Sequence, residues 1–385
     1  MITMLTASTL EIDEVDVAVA EILEQLDLGN GLRKHAVAIL SCYPEFIDTG
    51  VVKALCKSLP CDVVGCTTLA SGTARQNGTM MLAVQVITSD EVSFATAISA
   101  PLTRESNFDP MKDAYMEASA KLPGAPAMAI PLLPVLDFVN SDSLVEALDE
   151  ISSGLPLFGT LPCDHTTNYG QSFLVHNGEV FENRLVLLLL SGPISPRFHI
   201  VSLSEERGEK QHAIITASDG NILREVNGVP LLKYLETIGL CDEANVETAK
   251  VVPFIVNYND GTTPVVRGIY RFTPDGNAMC GGRVPCNSTL SIGAVDYNDV
   301  ISSTKRLLTE VRAREGVNLI LGFSCICRGW VLGTDVLAEF DCVQEACGDI
   351  PYLMFYSGGE ICPVYNEEGQ HFNRFHNYSC IVCTL

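Results

Sequence analysis

Basic residues are scarce and scattered in this 385-residue chain: 24 Lys and Arg stand against 47 Asp and Glu, for a net charge of -23. Neutralising nucleic-acid phosphates takes clustered cations, so nucleic acid is excluded as a partner. Anionic lipid headgroups would be repelled by the same field. Long apolar runs are missing too. The longest aliphatic stretch, Leu185 to Leu190, is far too short to cross a bilayer and suits a buried strand. Residues Met1 to Glu14 have neither the basic nor the apolar region of a secretory signal, which predicts a cytoplasmic protein. There is no low-complexity tract, no Gly-x-Ser-x-Gly elbow, no phosphate loop and no HExxH. What remains is a chain with 47% hydrophobic and 18% charged residues, hence a large buried interior. Its length fits two domains of about 100–200 residues each.

Cysteine, by contrast, is plentiful, at 15. Dispersed through a long chain in a reducing compartment, these residues are expected to be thiols acting as small hydrophobes. Cys325 and Cys327 would face the same way on a regular strand, and Cys380 and Cys383 opposite ways. Even with Cys362 nearby in sequence, the absence of paired C-x-x-C knuckles predicts no metal site.

The start of the chain reads as a helix: Ser8 and Glu11 have capping-box spacing, Ile12, Val15, Val19, Ile22 and Leu26 alternate three and four apart, and Gly29 can end it. A strand–helix–strand unit then occurs three times. The first has a strand at Ala36–Leu40, a helix bearing Val51, Leu55 and Leu59, and a strand Asp62–Val64 ending in Gly65-Cys66-Thr67-Thr68. An Asn77-Gly78 turn leads on to Thr79–Ile87. The second runs from Ala127–Ile130 through a helix with Leu144, Leu148 and Ile151 to Leu155–Phe158 and Gly159-Thr160. Asn177-Gly178 then turns a hairpin into Leu185–Leu190. The third is Asn318–Phe323, a helix bearing Leu337, Phe340 and Cys347, and Ile350–Tyr356, ending in Ser357-Gly358-Gly359-Glu360 before a last strand at Ser379–Leu385. The glycines ending the second strands permit sharp turns or close backbone approach. Ligands of α/β sheets favour the crevice beyond the carboxyl ends of strands.

Between the second and third units, Glu205–Gln211 is a charged, Gly-containing junction. After it come a hairpin over Ala213–Val226, a helix at Leu231–Ile238 and strands near Val252–Asn257, Val265–Phe272 and Thr289–Ile292. The fold expected is layered α+β with mixed sheets, divided into residues 1–207 and 208–385.

Val63-Val64-Gly65-Cys66-Thr67-Thr68 resembles the Gly-Cys-Thr signature of FIST domains, a family of intracellular sensory modules. Asp219-Gly220-Asn221 with Asn227-Gly228, Val266-Arg267, Phe323-Ser324-Cys325 with Arg328-Gly329, and Gly359-Glu360-Ile361 resemble its C-terminal domain. The resemblance implies ligand sensing, with amino acids or related metabolites as the ligand class. The matched stretches leave no room for an output domain, so a signal would pass in trans to a partner such as a histidine kinase. Cys42-Tyr43-Pro44-Glu45 departs from the small and acidic residues of relatives at that site.

Ligand-binding candidates follow at Cys66, Thr67, Arg267, Cys325, Arg328, Gly359 and Glu360. Either arginine offers a rigid fork for a carboxylate, Glu360 can face an amino group, and Gly358-Gly359 allows close approach. No catalytic residue and no cofactor is assigned. One alternative implied by the resemblance is a haem-binding nitric-oxide sensor regulating a histidine kinase. His165, His176, His199, His212, His371 and His376 are then the available ligands, with His35, beside Lys34, less suited. A thiol-dependent enzyme assembled from Cys66, Cys325 and His165 is the other alternative.

Overall fold

The computed structural model describes residues 2–136, 140–166, 169–203, 213–241, 252–313, 320–348 and 350–385. The junction expected at 205–211, and His212, lie outside them. The fold is α+β, with three six-stranded mixed sheets and one eight-stranded sheet.

Each six-stranded sheet is built around a parallel pair joined through helices. These pairs are His35–Cys42 with Asp62–Thr67, Met128–Leu132 with Gly159–Thr160, and Ile320–Cys325 with Tyr352–Ser357. On the outer side of each first strand lies an antiparallel strand that comes later in the chain: Leu82–Ser89, Val186–Ser191 and Cys380–Thr384 respectively. Each of these carries an edge strand: Ile2–Thr9, Ser93–Ile98 and Arg197–Val201. The remaining two strands of each sheet are borrowed. Ser71–Thr73 and Asn77–Gly78 extend the third sheet, Leu174–His176 and Glu179–Phe181 the first, and Glu360–Tyr365 and His371–His376 the second. Strands therefore cross the boundary expected at residue 207 in the second and third sheets.

Alternation along these strands explains their composition. In the first sheet Val37 and Ile39 join a core shared with the other two sheets, while Ala38 and Leu40 pack under helices Val15–Leu26 and Val51–Ser58. In the second, Val186, Leu188 and Leu190 face the shared core, and Leu185, Leu187 and Leu189 face helices Phe108–Lys121 and Ser141–Ser152. Burial on both faces is why this stretch is an unbroken aliphatic run. Phe158, Phe323 and Phe355 meet at the centre, with ring centroids 5.0 and 4.9 Å apart. Cys380 and Cys383 fall into different cores, on opposite faces as expected, and all 15 cysteines are free thiols.

The strands from Ala213–Asp219 to Thr289–Ile292 form the eight-stranded sheet. Its two end strands, Val265–Arg267 and Ile269–Phe272, are consecutive in sequence and parted only by Gly268, so the sheet curls into a nearly closed barrel. Leu231, Tyr234 and Leu235 of helix Leu231–Thr237 contribute to its core.

Several expectations are corrected. The chain opens on a strand, and the first long helix starts at Val15. Glu11 accepts hydrogen bonds from the Asp13 and Glu14 amides, so no capping box forms with Ser8. Asn77-Gly78 is a short strand on Ser71–Gly72, whereas Asn177-Gly178, with φ of 52° and 84°, is a hairpin turn that leads from Leu174–His176 into Glu179–Phe181 and not into Leu185–Leu190. Gly65 and Gly159 do lie alike, each pressed on a carbonyl of the parallel neighbour (Leu40 and Pro131), where a Cβ would clash. Gly359 differs: it lies beyond its strand, under the ring of Phe375.

Candidate functional site

The carboxyl ends of the three parallel pairs bind one another. The Cys163 amide donates to the Thr67 carbonyl (3.1 Å), the Tyr356 amide to Ala70 (3.1 Å), and the Gly358 and Leu161 amides to Leu161 and Gly359 (3.0 Å each). Side chains add to this: Thr68 Oγ1 donates to the Tyr356 carbonyl at 2.8 Å, and Thr160 Oγ1 to Ser357 Oγ at 2.7 Å. The junction is closed by the protein's own groups.

Beside it, between the second sheet and the barrel, lies a cavity of about 670 Å³, within the range of ligand pockets. One wall carries Arg104, Asn140 and Ser141, and the barrel wall carries Asp219, Tyr270, Arg271 and Met279. Tyr169 meets Tyr270 edge to face at 6.1 Å. Tyr270 is 41% exposed. Burial pushes the Tyr169, Tyr270 and Tyr378 phenols up, and the neighbouring Cys325 and Cys327 thiols add to the effect. All three are therefore neutral hydroxyls at ordinary pH, able to donate.

The sequence pattern of the FIST N domain matches residues 36–229, and that of the FIST C domain matches residues 230–363. The chain belongs to the FIST family. FIST domains are sensory rather than catalytic, implicated in binding small ligands for signalling. None of the curated proteins matches this FIST chain. Among solved structures it is similar to the cyanuric acid hydrolase of A. caulinodans, at 10% identity and a TM-score of 0.36, covering 100% of this chain and 99% of that one. It is also similar to a cyanuric acid hydrolase described as an evolutionary innovation by structural concatenation, at 9% identity and 0.31, covering 76% and 99%. Such low scores bear on neither chemistry nor ligand.

Of the residues expected at the FIST site, Cys325 and Glu360 come together. Glu360 is fully buried; one carboxyl oxygen accepts from Ser379 Oγ at 2.8 Å, and the other has no well-directed partner. Burial, then the Cys325 thiol, pushes its carboxyl well up, so it is a neutral acid and faces no ammonium group. Cys325 ends its strand and Cys327 sits in helix Ile326–Leu332, so the two do not share a strand face.

Arg267 is no ligand anchor. Nε donates to the Arg283 carbonyl, Nη1 to the Val266 and Phe375 carbonyls, and Nη2 to Asp142 and Tyr258, which uses every N–H of a fully buried guanidinium. Arg328 is equally buried. Its Nε and Nη2 serve Glu339, Val300, Ser303 and Thr304, tying three helices together. Cys66 packs in the shared core with its thiol pushed well up by burial, and Thr67 Oγ1 accepts from the Phe173 amide. The close approaches at Gly358 and Gly359 are filled by the Pro162 carbonyl and Phe375. Sequence reasoning missed Arg104, Tyr169, Tyr270 and Arg271, which carry no motif, although Asp219-Gly220-Asn221 lies on the same wall.

The buried acid has a measurable consequence. A carboxyl whose folded pKa is raised contributes stability below its unfolded value of about 4.5, and that stability is lost as pH rises toward the folded value. Glu360→Gln removes the ionisation. Its stability relative to wild type should therefore climb by about 1.4 kcal/mol per pH unit above that point. Urea midpoints from pH 4 to 9 that run parallel for the two proteins would refute this.

Proposed function

We propose that this FIST chain is a sensory module that takes a small anionic metabolite in the cavity between the second sheet and the barrel. It passes the signal to a separate protein, a histidine kinase or another signalling partner. The observation that carries the reading is the charge of the cavity. Two arginines and one aspartate line it, in a chain of net charge -23, and the aspartate is already paired with Arg224 at 2.9 Å. Neither the Arg104 nor the Arg271 guanidinium, both on exposed residues, pairs with the side chain of another described residue. The amino end of helix Ser141–Ser152 also borders the space, and its positive pole favours an anion. The phenols of Tyr169 and Tyr270 supply neutral donors.

The other two readings lack such support. None of the described histidines lines the cavity. Buried His376 has Nε2 at 3.2 Å from the Cys362 carbonyl, and its imidazole is pushed down to about 3 by burial and Arg267. Burial raises the Cys66 and Cys325 thiols, the opposite of an activated nucleophile. Exposed His165 has Nδ1 at 3.2 Å from the Tyr43 hydroxyl.

Native mass spectrometry of gently purified protein is expected to find a retained small anion and no haem mass, with no Soret band in the absorption spectrum. Met279→Trp, which fills the cavity from its barrel wall, should empty it and lower the affinity at least about tenfold, roughly 1.4 kcal/mol. Retention unchanged in that variant would remove the cavity from consideration.

A further inference from the structure

The two free guanidiniums of the cavity stand on different bodies. Arg104 lies in the connection from strand Ser93–Ile98 to helix Phe108–Lys121, which belong to the second sheet and its helical cover. Arg271 lies in the barrel strand Ile269–Phe272. Both residues are exposed at the rim of this open cavity, so a ligand with one acidic group pairs one guanidinium and leaves the other to water. A ligand acidic at both ends satisfies both.

We propose that the ligand is a compact dicarboxylate whose two ends are held by Arg104 and Arg271, so that it bridges the second sheet and the barrel. This rests on the cavity being the ligand site and adds the ligand's charge and shape. Guanidinium forks match carboxylate oxygens two at a time, and the phenols of Tyr169 and Tyr270 are neutral donors for the middle of the molecule. Asp219 is no obstacle, because its carboxylate is already held by Arg224. Ion pairs already join the two bodies, Arg267 to Asp142 at 3.2 Å in the interior with Arg283 to Glu146 and Arg374 to Asp260 nearer the surface, and they fix the spacing before any ligand arrives. A preset spacing selects ligand length.

The test titrates the full-length protein with the unbranched diacids from malonate to adipate, and with the monoacid of equal carbon count in each case. Calorimetry reads affinity and thermal shift reads stabilisation. One diacid is expected to bind best, about tenfold or more tighter than its monoacid. Arg104→Gln and Arg271→Gln should each bring that diacid down to the monoacid's affinity, and the double variant should lose little more. Monoacids binding as well as diacids, or diacid binding indifferent to both substitutions, overturns the proposal. A phosphorylated monoacid outcompeting every diacid overturns it as well. If diacids fail while Met279→Trp still empties the protein of its retained molecule, the dicarboxylate is wrong and the cavity stands. If neither diacids nor Met279→Trp has any effect, both fall.

Discussion

Arg328→Ala is expected to destabilise the protein by about 3–5 kcal/mol, because it strips a fully buried carboxylate of its counter-ion. Glu339 is 0% exposed and receives Arg328 Nη2 at 2.7 Å and Nε at 3.0 Å, along with the Ser324 and Thr304 hydroxyls at 2.7 and 2.6 Å. The same guanidinium reaches the Val300 carbonyl, so its loss unties helices Tyr297–Arg312, Ile326–Leu332 and Ala338–Cys347 together. Such a loss is a large part of the roughly 5–15 kcal/mol that holds a typical domain folded. Urea unfolding should show a lower midpoint with an unchanged slope. Replacing both partners, Arg328→Met with Glu339→Leu, should restore much of the loss, since an apolar pair leaves no charge unmatched. A midpoint for Arg328→Ala within experimental error of wild type would show that Glu339 finds another partner. Affinity for a cavity ligand should be unchanged in whatever fraction remains folded.

Arg267→Ala is the second large effect, also about 3–5 kcal/mol, and it should act locally first. Arg267 is the fully buried one of three arginines that tie the barrel to the second sheet, beside the Arg283–Glu146 and Arg374–Asp260 pairs: Nη1 reaches the Phe375 carbonyl at 2.9 Å, and Nη2 reaches Asp142 in the first turn of helix Ser141–Ser152. Without it Asp142 keeps only the Arg283 amide as a neighbouring donor. Hydrogen exchange should therefore quicken in the barrel strands Ala213–Asp219, Phe254–Asn257 and Thr289–Ile292 before it does in the three-sheet core. Uniform quickening across the chain would mean that the barrel is held by its apolar contacts, with the ion pair incidental. Arg267→Lys should recover less than half of the loss, because an ammonium cannot serve five acceptors in a plane.

These two arginines show where the sequence stops being legible. Both stand in stretches that resemble family motifs, and a lone Arg near a loop reads naturally as a ligand anchor. Their partners are remote or ambiguous: Asp142 lies in another domain by sequence, and Glu339 reads as one more acidic residue on a helix. Strand and helix positions were easier, since apolar alternation and glycine punctuation are local signals. Thr289–Ile292 has the expected bounds, and the strands near 36–40, 62–64 and 213–226 lie where expected. The opening strand Ile2–Thr9 was hidden by the capping-box spacing of Ser8 and Glu11; the Ser8 amide instead donates to Gln25. The cavity was legible in one motif only, Asp219-Gly220-Asn221. Arg104, Tyr169, Tyr270 and Arg271 are brought together by the barrel's docking, which no periodicity announces.

The borrowed strands bear on how the chain is made. Synthesis proceeds from the amino end, and the first sheet can close only after Phe181 has emerged, since its last strand is Glu179–Phe181. The second must wait for the pairing of Glu360–Tyr365 with Gly159–Thr160, and the third for Cys380–Thr384, which lies between Arg197–Val201 and Ile320–Cys325. Throughout that interval Ser71–Thr73 has only Asn77–Gly78 to pair with and lacks Tyr352–Ser357 on its other edge, and the aliphatic run at 185–190 lacks part of its covering. Nascent chains of this design expose unpaired strand edges for much of their synthesis at about 5–20 residues per second, an interval in which such edges can pair with other chains.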